Sequence, residues 1–120
     1  MLHLSDSCRY YLYAQGTDMR RGFDSLSGLV TVQLQMNALN GAVFIFFNKQ
    51  CNRVKLLVWE GDGFAMYYKR LEKGTYELPV MNDNNSSASI PVRQLQWILQ
   101  GLSLKSVCIR KRYQHAGESC

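Results

Sequence analysis

"AVFIFFNKQCNRVKLLVWEGDGFAMYYKRL", residues 42–71, decides the fold. It holds three runs rich in β-branched and aromatic residues, at 42–48, 53–60 and 64–71. Such side chains fit a pleated, half-buried surface. Only "KQCN" and "GDG" stand between the runs. Links this short join antiparallel neighbours, because a parallel crossover needs about a dozen residues or more. The stretch therefore predicts an antiparallel β-meander.

Turn chemistry sets the expected register of the second hairpin. A three-residue loop, Gly61-Asp62-Gly63 with Gly63 left-handed, pairs Glu60 with Phe64, Val58 with Met66, Leu56 with Tyr68 and Val54 with Arg70. One face then carries Val54, Leu56, Val58, Phe64, Met66 and Tyr68, a coherent core face. A two-residue loop mixes Lys69 with Val58 and Leu56, so the first register is preferred. The opposite face carries Lys55, Leu57, Trp59, Ala65, Tyr67 and Lys69, with Lys55 directly across from Lys69. Like charges so placed cost roughly a few tenths of a kcal/mol unless an anion lies between them. With Trp59 and Tyr67 as stacking candidates, this face suits a nucleic-acid backbone and its exposed bases. The alternative is that acids such as Glu72 neutralise the lysines while the aromatics pack beneath a helix.

The run at 42–48 is apolar on both faces, Phe44 and Phe46 alternating with Val43, Ile45 and Phe47. Either helices cover both sides of the sheet or one side is a partner interface.

Working outward, "CRYYLYA" (8–14) reads as a further strand and "QGTDMRRG" (15–22) as a turn. From Arg21 to about Met36, Phe23, Leu26, Val30 and Leu34 recur at steps of three and four, an amphipathic helix widened by Leu29. Asp18 and Asp24 lie where negative charge complements its dipole, and "NALNG" ends it. Arg20 and Arg21, at that helix start, are candidates for a phosphate site or for local pairing with Asp18 and Asp24. Downstream, "GTYEL" (74–78) suggests a short strand and "PVMNDNNSSAS" (79–89) a mobile loop. A second helix is expected at about 91–100, with Pro91 in its first turn, Leu95, Ile98 and Leu99 inward, and Gly101 as its stop. "LKSVCIRKRY" (104–113) predicts a last strand. The expectation is one α+β domain over residues 1–113, with one helix in the N-terminal half and one near the C-terminus, and a flexible tail at 114–120.

The composition fits that plan. The 120 residues, 47% hydrophobic and 19% charged, exclude global disorder. No apolar run approaches the roughly 20 residues of a membrane span, and "MLHLSDSCRYY" has no signal-peptide pattern, so a cytoplasmic protein is expected. The net charge is +5, but residues 1–100 hold ten basic and eight acidic side chains, only +2. The excess lies in the arm "IRKRYQH", where Arg110, Lys111 and Arg112 are further candidates for a polyanion.

Catalytic signals are weak. Cys8, Cys51, Cys108 and Cys120 form no close pair, and His3 and His115 stand near opposite ends, so no zinc spacing exists. The cysteines read as reduced, with Cys8 and Cys108 buried in strands and Cys51 in a turn. Glu60 and Asp62 flank a tight turn, where Asp is favoured without any chemistry. A two-metal site needs carboxylates brought together from distant strands. The G-x-S-x-G, G-x-x-x-x-G-K-[ST] and G-x-G-x-x-G motifs are all absent. No metal or cofactor is expected.

The blocks "TDMRRGFDSLSGLV" and "GAVFIFFNKQCNRVKLLVWEGDGFAMYYKRLEKGTYELP", with "LQWILQGLSL" behind them, closely resemble the small accessory protein of insertion-sequence-66-type bacterial transposons. Asp18, Met19, Arg20, Gly22, Phe23 and Asp24 carry the first block. Arg53, Lys55, Trp59, Gly61, Gly63, Lys69, Arg70, Glu72 and Pro79 carry much of the second. Two departures stand out: Phe47 occupies a position that is commonly basic in the family, and Gln50-Cys51 stands where Arg-Gly is usual. The resemblance implies a non-catalytic helper in transposition beside a separate transposase that does the strand chemistry. The expected partners are transposon DNA, held through Arg20, Arg21, Lys55, Lys69, Arg70 and the arm, together with the transposase and a second copy of the chain. The competing expectation is an adaptor that docks on the transposase without touching DNA; a metal-dependent nuclease comes last.

Overall fold

The computed structural model of the chain describes residues 4–79 and 87–101. In order these form β1 (Tyr10–Tyr13), α1 (Phe23–Val32), β2 (Val43–Phe47), β3 (Arg53–Trp59), β4 (Phe64–Arg70), β5 (Ser87–Ile90) and α2 (Val92–Gln100). The strands make one sheet in the order β4-β3-β2-β1-β5. The α+β class stands, and β2, β3 and β4 form the expected meander.

The sheet is mixed, however, and not antiparallel throughout. β1 runs parallel to β2, with Tyr11 beside Phe44, and α1 supplies the crossover between them. Turn lengths within 42–71 carried no information about this pair. β5 is a second difference, because all of it but Ile90 falls in the stretch expected to be a loop. Its sequence, Ser-Ala-Ser-Ile, has weak strand character, yet it satisfies the outer edge of β1 from Tyr10↔Ile90 to Tyr13↔Ser87. Residues 74–78 form no strand. Tyr76 is nevertheless anchored, its N–H donating to the Cys51 carbonyl at 2.7 Å and its ring meeting Phe47 edge-on.

α1 is shorter than its periodicity suggests. After Val32 the chain unwinds: the Leu34 N–H reaches back to Leu29 O and the Met36 N–H to Val30 O, with Gln35 between them at φ 52°. Leu34 stays buried all the same. α2 matches its expected span within a residue, and Gly101 closes it at φ 87°, the left-handed conformation that glycine adopts without steric cost.

Helices cover both faces of the sheet. Leu26, Val30 and Leu34 pack on Tyr13, Phe44, Phe46 and Leu57. Leu95 and Ile98 pack on the other side with Leu12, Ile45, Phe47, Val54 and Leu56. All five residues of β2 are buried, which resolves the two-sided apolar strand in favour of double coverage.

Double coverage also explains why the expected β3–β4 register is wrong. The pairs are Trp59↔Phe64, Val58↔Ala65, Leu56↔Tyr67, Lys55↔Tyr68, Val54↔Lys69 and Arg53↔Arg70. The connection spans four residues, closed by Glu60 N–H to Gly63 O, and Gly61, not Gly63, has positive φ (95°). Apolar alternation specifies register strongly where only one face is buried. Here both faces are buried, so Phe64 and Met66 join the α1 side while Val54, Leu56 and Val58 join the α2 side. Lys55 consequently does not face Lys69; the two sit on opposite sides of the sheet.

The expected strand at 104–113, the Arg110–Arg112 arm, Cys108, Cys120, the tail 114–120 and part of the 79–89 loop lie outside the described residues. Among the described residues, no helix is long and apolar enough to cross a membrane.

Candidate functional site

The carboxyl ends of the two parallel strands point the same way, and ligands of sheets with parallel strands gather in the crevice outside such ends. Here that crevice is a polar cleft of about 660 Å³ between the loop at 16–20 and the turn at 48–53. Thr17 N–H donates to Phe47 O at 2.8 Å, which draws the two segments together. Gly16 makes the approach possible: a Cβ there would stand 3.0 Å from the Lys49 Cα.

The β2–β3 turn is built by Asn48. Its Oδ1 accepts the N–H groups of Asn52 (3.0 Å) and Arg53 (2.9 Å), and its Nδ2 donates to Asn52 Oδ1 at 2.6 Å. Cys51 occupies the left-handed region at φ 58°, and its place in a turn agrees with expectation. This frame leaves Lys49 and Gln50 exposed on the rim of the cleft.

Asp18 organises the opposite wall. Its carboxylate accepts the Arg20 N–H at 2.9 Å and the Arg20 guanidinium at 2.6–3.1 Å, while Arg21 N–H donates to the Asp18 carbonyl. The Arg20 side-chain hydrogen bonds, then its backbone N–H, hold the Asp18 pKa down at about 2. The Arg20 side chain is 91% exposed, so pairing leaves most of its surface open. Arg21 bonds Ser25 Oγ at 2.6 Å and not Asp24.

Lys55 has an unexpected place. It is only 7% exposed, and its Nζ donates to the carbonyls of Met19 (2.6 Å) and Arg21 (2.8 Å). The ammonium also lies 4.7 Å from the centre of the Tyr68 ring. Lys55 is therefore an internal tie between β3 and the turn before α1, not a surface cation.

The like-charge pair belongs one step along the hairpin, where Arg53 faces Arg70. Arg70 is paired with Glu72 at 2.9 Å, and Arg53 Nη1 reaches the Tyr68 hydroxyl at 3.4 Å. Arg20, Lys49 and Arg53 thus line the cleft, with Asp18 as its one acid and Tyr68 at its margin. Sequence reasoning missed Lys49 and Arg53. The available signal was Arg53 two positions before Lys55, on the same strand face.

Other candidates are dispersed. Lys69 is exposed on the α2 side. Trp59 stacks edge-on against Phe64 at 5.0 Å, whereas Tyr67 packs against the core of the opposite face, so the two do not form one stacking surface. Gly61, Asp62 and Gly63 lie in the hairpin turn as expected, but Gly61 and not Gly63 takes the left-handed conformation, and Glu60 and Asp62 are exposed. Cys8 is partly buried just before β1. Among the described residues, no three of His, Cys, Asp or Glu lie close enough to share a metal ion.

Comparison with known proteins adds the family context. Residues 8–108 match the family model described as "IS66 Orf2 like protein". The uncharacterized protein y4hO of Sinorhizobium fredii (strain NBRC 101917 / NGR234) is 30% identical over 102 residues, covering 85% of this chain and 87% of its own. The uncharacterized protein y4jC of the same strain is 32% identical over 83 residues, covering 69% and 71% respectively. No solved structure matches the chain.

Proposed function

Because the chain belongs to the IS66 Orf2-like family of transposon accessory proteins, we propose that it is a non-catalytic factor in DNA transposition that grips the phosphate backbone of transposon DNA beside a separate transposase. The observation that carries this reading is the cleft at the carboxyl ends of β1 and β2. Three cations line it against one carboxylate, and that carboxylate is already engaged by Arg20. Lys49 and Arg53 reach it from one wall and Arg20 from the other, with Arg21 next to Arg20 in the chain and Arg70, on β4, across from Arg53. Lys69 extends the basic surface on the other side of the sheet. The basic run Arg110, Lys111 and Arg112 adds further positive charge for the same polyanion. Contact with chromosomal or element DNA puts the protein in the bacterial cytoplasm.

The test is titration of the full chain against a labelled duplex of the element's terminal sequence, at low and at physiological salt. The predicted result is binding that weakens steeply with salt, because each neutralised phosphate releases condensed counterions. Absence of binding at low salt would sink the DNA role.

An adaptor that docks on the transposase is the second reading. It is favoured by Phe23, Val32 and Leu39, large apolar residues left exposed along α1 and the segment behind it, with Val32 at 67%. Its signature is a complex with the transposase that survives high salt and is lost on Val32→Asp or Leu39→Asp.

A further inference from the structure

We propose that the cleft takes an unpaired DNA strand, stacking a base on the outer face of Tyr68 while Arg53, Lys49 and Arg20 hold the flanking phosphates. This rests on the DNA contact proposed above and names the form of DNA that the cleft fits.

Tyr68 is the feature that distinguishes this cleft from a plain basic surface. Its ring lies over the buried Lys55 ammonium, which is itself fixed by two carbonyls. That arrangement occupies one face of the ring and holds its orientation. The residue is still 48% exposed and lines the cleft, so aromatic surface is available to a ligand there. An aromatic face held ready in this way loses little conformational freedom when a flat partner settles on it.

The surrounding chemistry fits a nucleotide chain. Arg53 lies beside the Tyr68 hydroxyl, and Arg70 stands across from Arg53 on the same face as Tyr68. A phosphate between the two arginines relieves a like-charge pair that is only partly offset by Glu72. The cleft volume of about 660 Å³ falls within the range of roughly 300–1,000 Å³ typical of clefts that enclose a small organic ligand. A duplex keeps its bases stacked inside and offers only phosphates to such a site. A single strand offers both phosphates and a free base face, the combination that basic grooves with aromatic platforms hold without sequence preference.

The experiment uses the full chain with a short labelled oligothymidylate, and the same strand annealed to oligodeoxyadenylate. The wild-type protein should bind the single strand more tightly than the duplex. Tyr68→Leu should lower single-strand affinity on the order of tenfold and leave duplex affinity unchanged, while Tyr68→Phe keeps both. Because Tyr68→Leu also removes the ring above Lys55, photocrosslinking of wild-type protein with a bromodeoxyuridine-substituted single strand gives a readout independent of folding. Crosslinks mapping to Tyr68 support the proposal, and crosslinks mapping only to other residues overturn it. Equal binding of both DNA forms, unaffected by Tyr68→Leu, overturns it while leaving duplex binding intact. Binding of polyglutamate as tight as that of the single strand also overturns it, by showing a general anion or acidic-peptide site. Failure to bind either DNA at low salt removes both proposals together.

Discussion

The Lys55 ammonium lies 2.6 Å from the Met19 carbonyl oxygen, and this contact ties the middle of β3 to the turn that launches α1. Together with the bond to the Arg21 carbonyl it brackets Arg20, so this highly exposed cation of the cleft projects from a turn fixed on both sides. A lysine expected to meet phosphate thus acts one layer deeper, by holding the turn that carries Arg20.

Replacing Lys55 with Met therefore reads out in stability. It strands two carbonyls and removes hydrogen bonds to a charged donor, which contribute roughly 1.5–3 kcal/mol each. Denaturant unfolding should show a loss of about 2 kcal/mol or more, with DNA binding weakened but its salt slope retained. A slope lowered by about one, with stability unchanged, is what a surface phosphate contact would give instead.

Two glycines should respond oppositely to alanine. At Gly16 a Cβ would lie 3.0 Å from the Lys49 Cα and 3.2 Å from its backbone nitrogen, and such overpacking costs about 1–3 kcal/mol. Gly16→Ala should also shift the Lys49 amide resonance. Gly28, inside α1, has nothing within 4 Å of where a Cβ would stand. Gly28→Ala should stabilise by roughly 0.5–1 kcal/mol. Thermal unfolding of the two variants checks both signs.

Cys51 holds a left-handed conformation at φ 58°, which glycine adopts without steric cost. Cys51→Gly should raise stability by about 1 kcal/mol, because a side chain in that region costs more than glycine's extra freedom in the unfolded chain. Measured destabilisation would mean that the cysteine's own contacts outweigh the strain.

Asp18 gives a pH signature. Its pKa is lowered from 3.8 to about 2 by Arg20, so the folded state favours the carboxylate. The turn's contribution is fully present above pH 3.8 and is lost as the pH falls through about 2. An NMR titration of the Asp18 carboxyl should find its midpoint near 2, and Arg20→Ala should return it toward its ordinary value.

The meander, both helices and the α+β class were legible because turn lengths and apolar periodicity are local signals. What lay beyond them depended on long-range pairing. The parallel β1–β2 contact joins residues some thirty positions apart, and β5 is a strand chiefly because β1 has an edge to satisfy. The hairpin register was misread because Phe64, Met66 and Tyr68 resemble a continuation of the Val54, Leu56 and Val58 face, whereas helices on both sides let the two sets separate. That one-residue difference put Tyr68 on the face of Lys55 and Arg53, and Lys69 on the other, while Lys55 lies inward because its face meets the turn before α1. Arg20 was legible because the run beside Asp18 is local, while Lys49 became relevant only through the close approach of Gly16.

The most direct measurement is the salt dependence of DNA affinity for the wild-type chain and for the double variant Lys49→Gln, Arg53→Gln. If the cleft grips phosphates, the wild type binds at low salt and the double variant loses about two from the magnitude of the log–log slope, with unfolding unchanged. An identical slope for the two proteins, or no binding by either at low salt, contradicts the account.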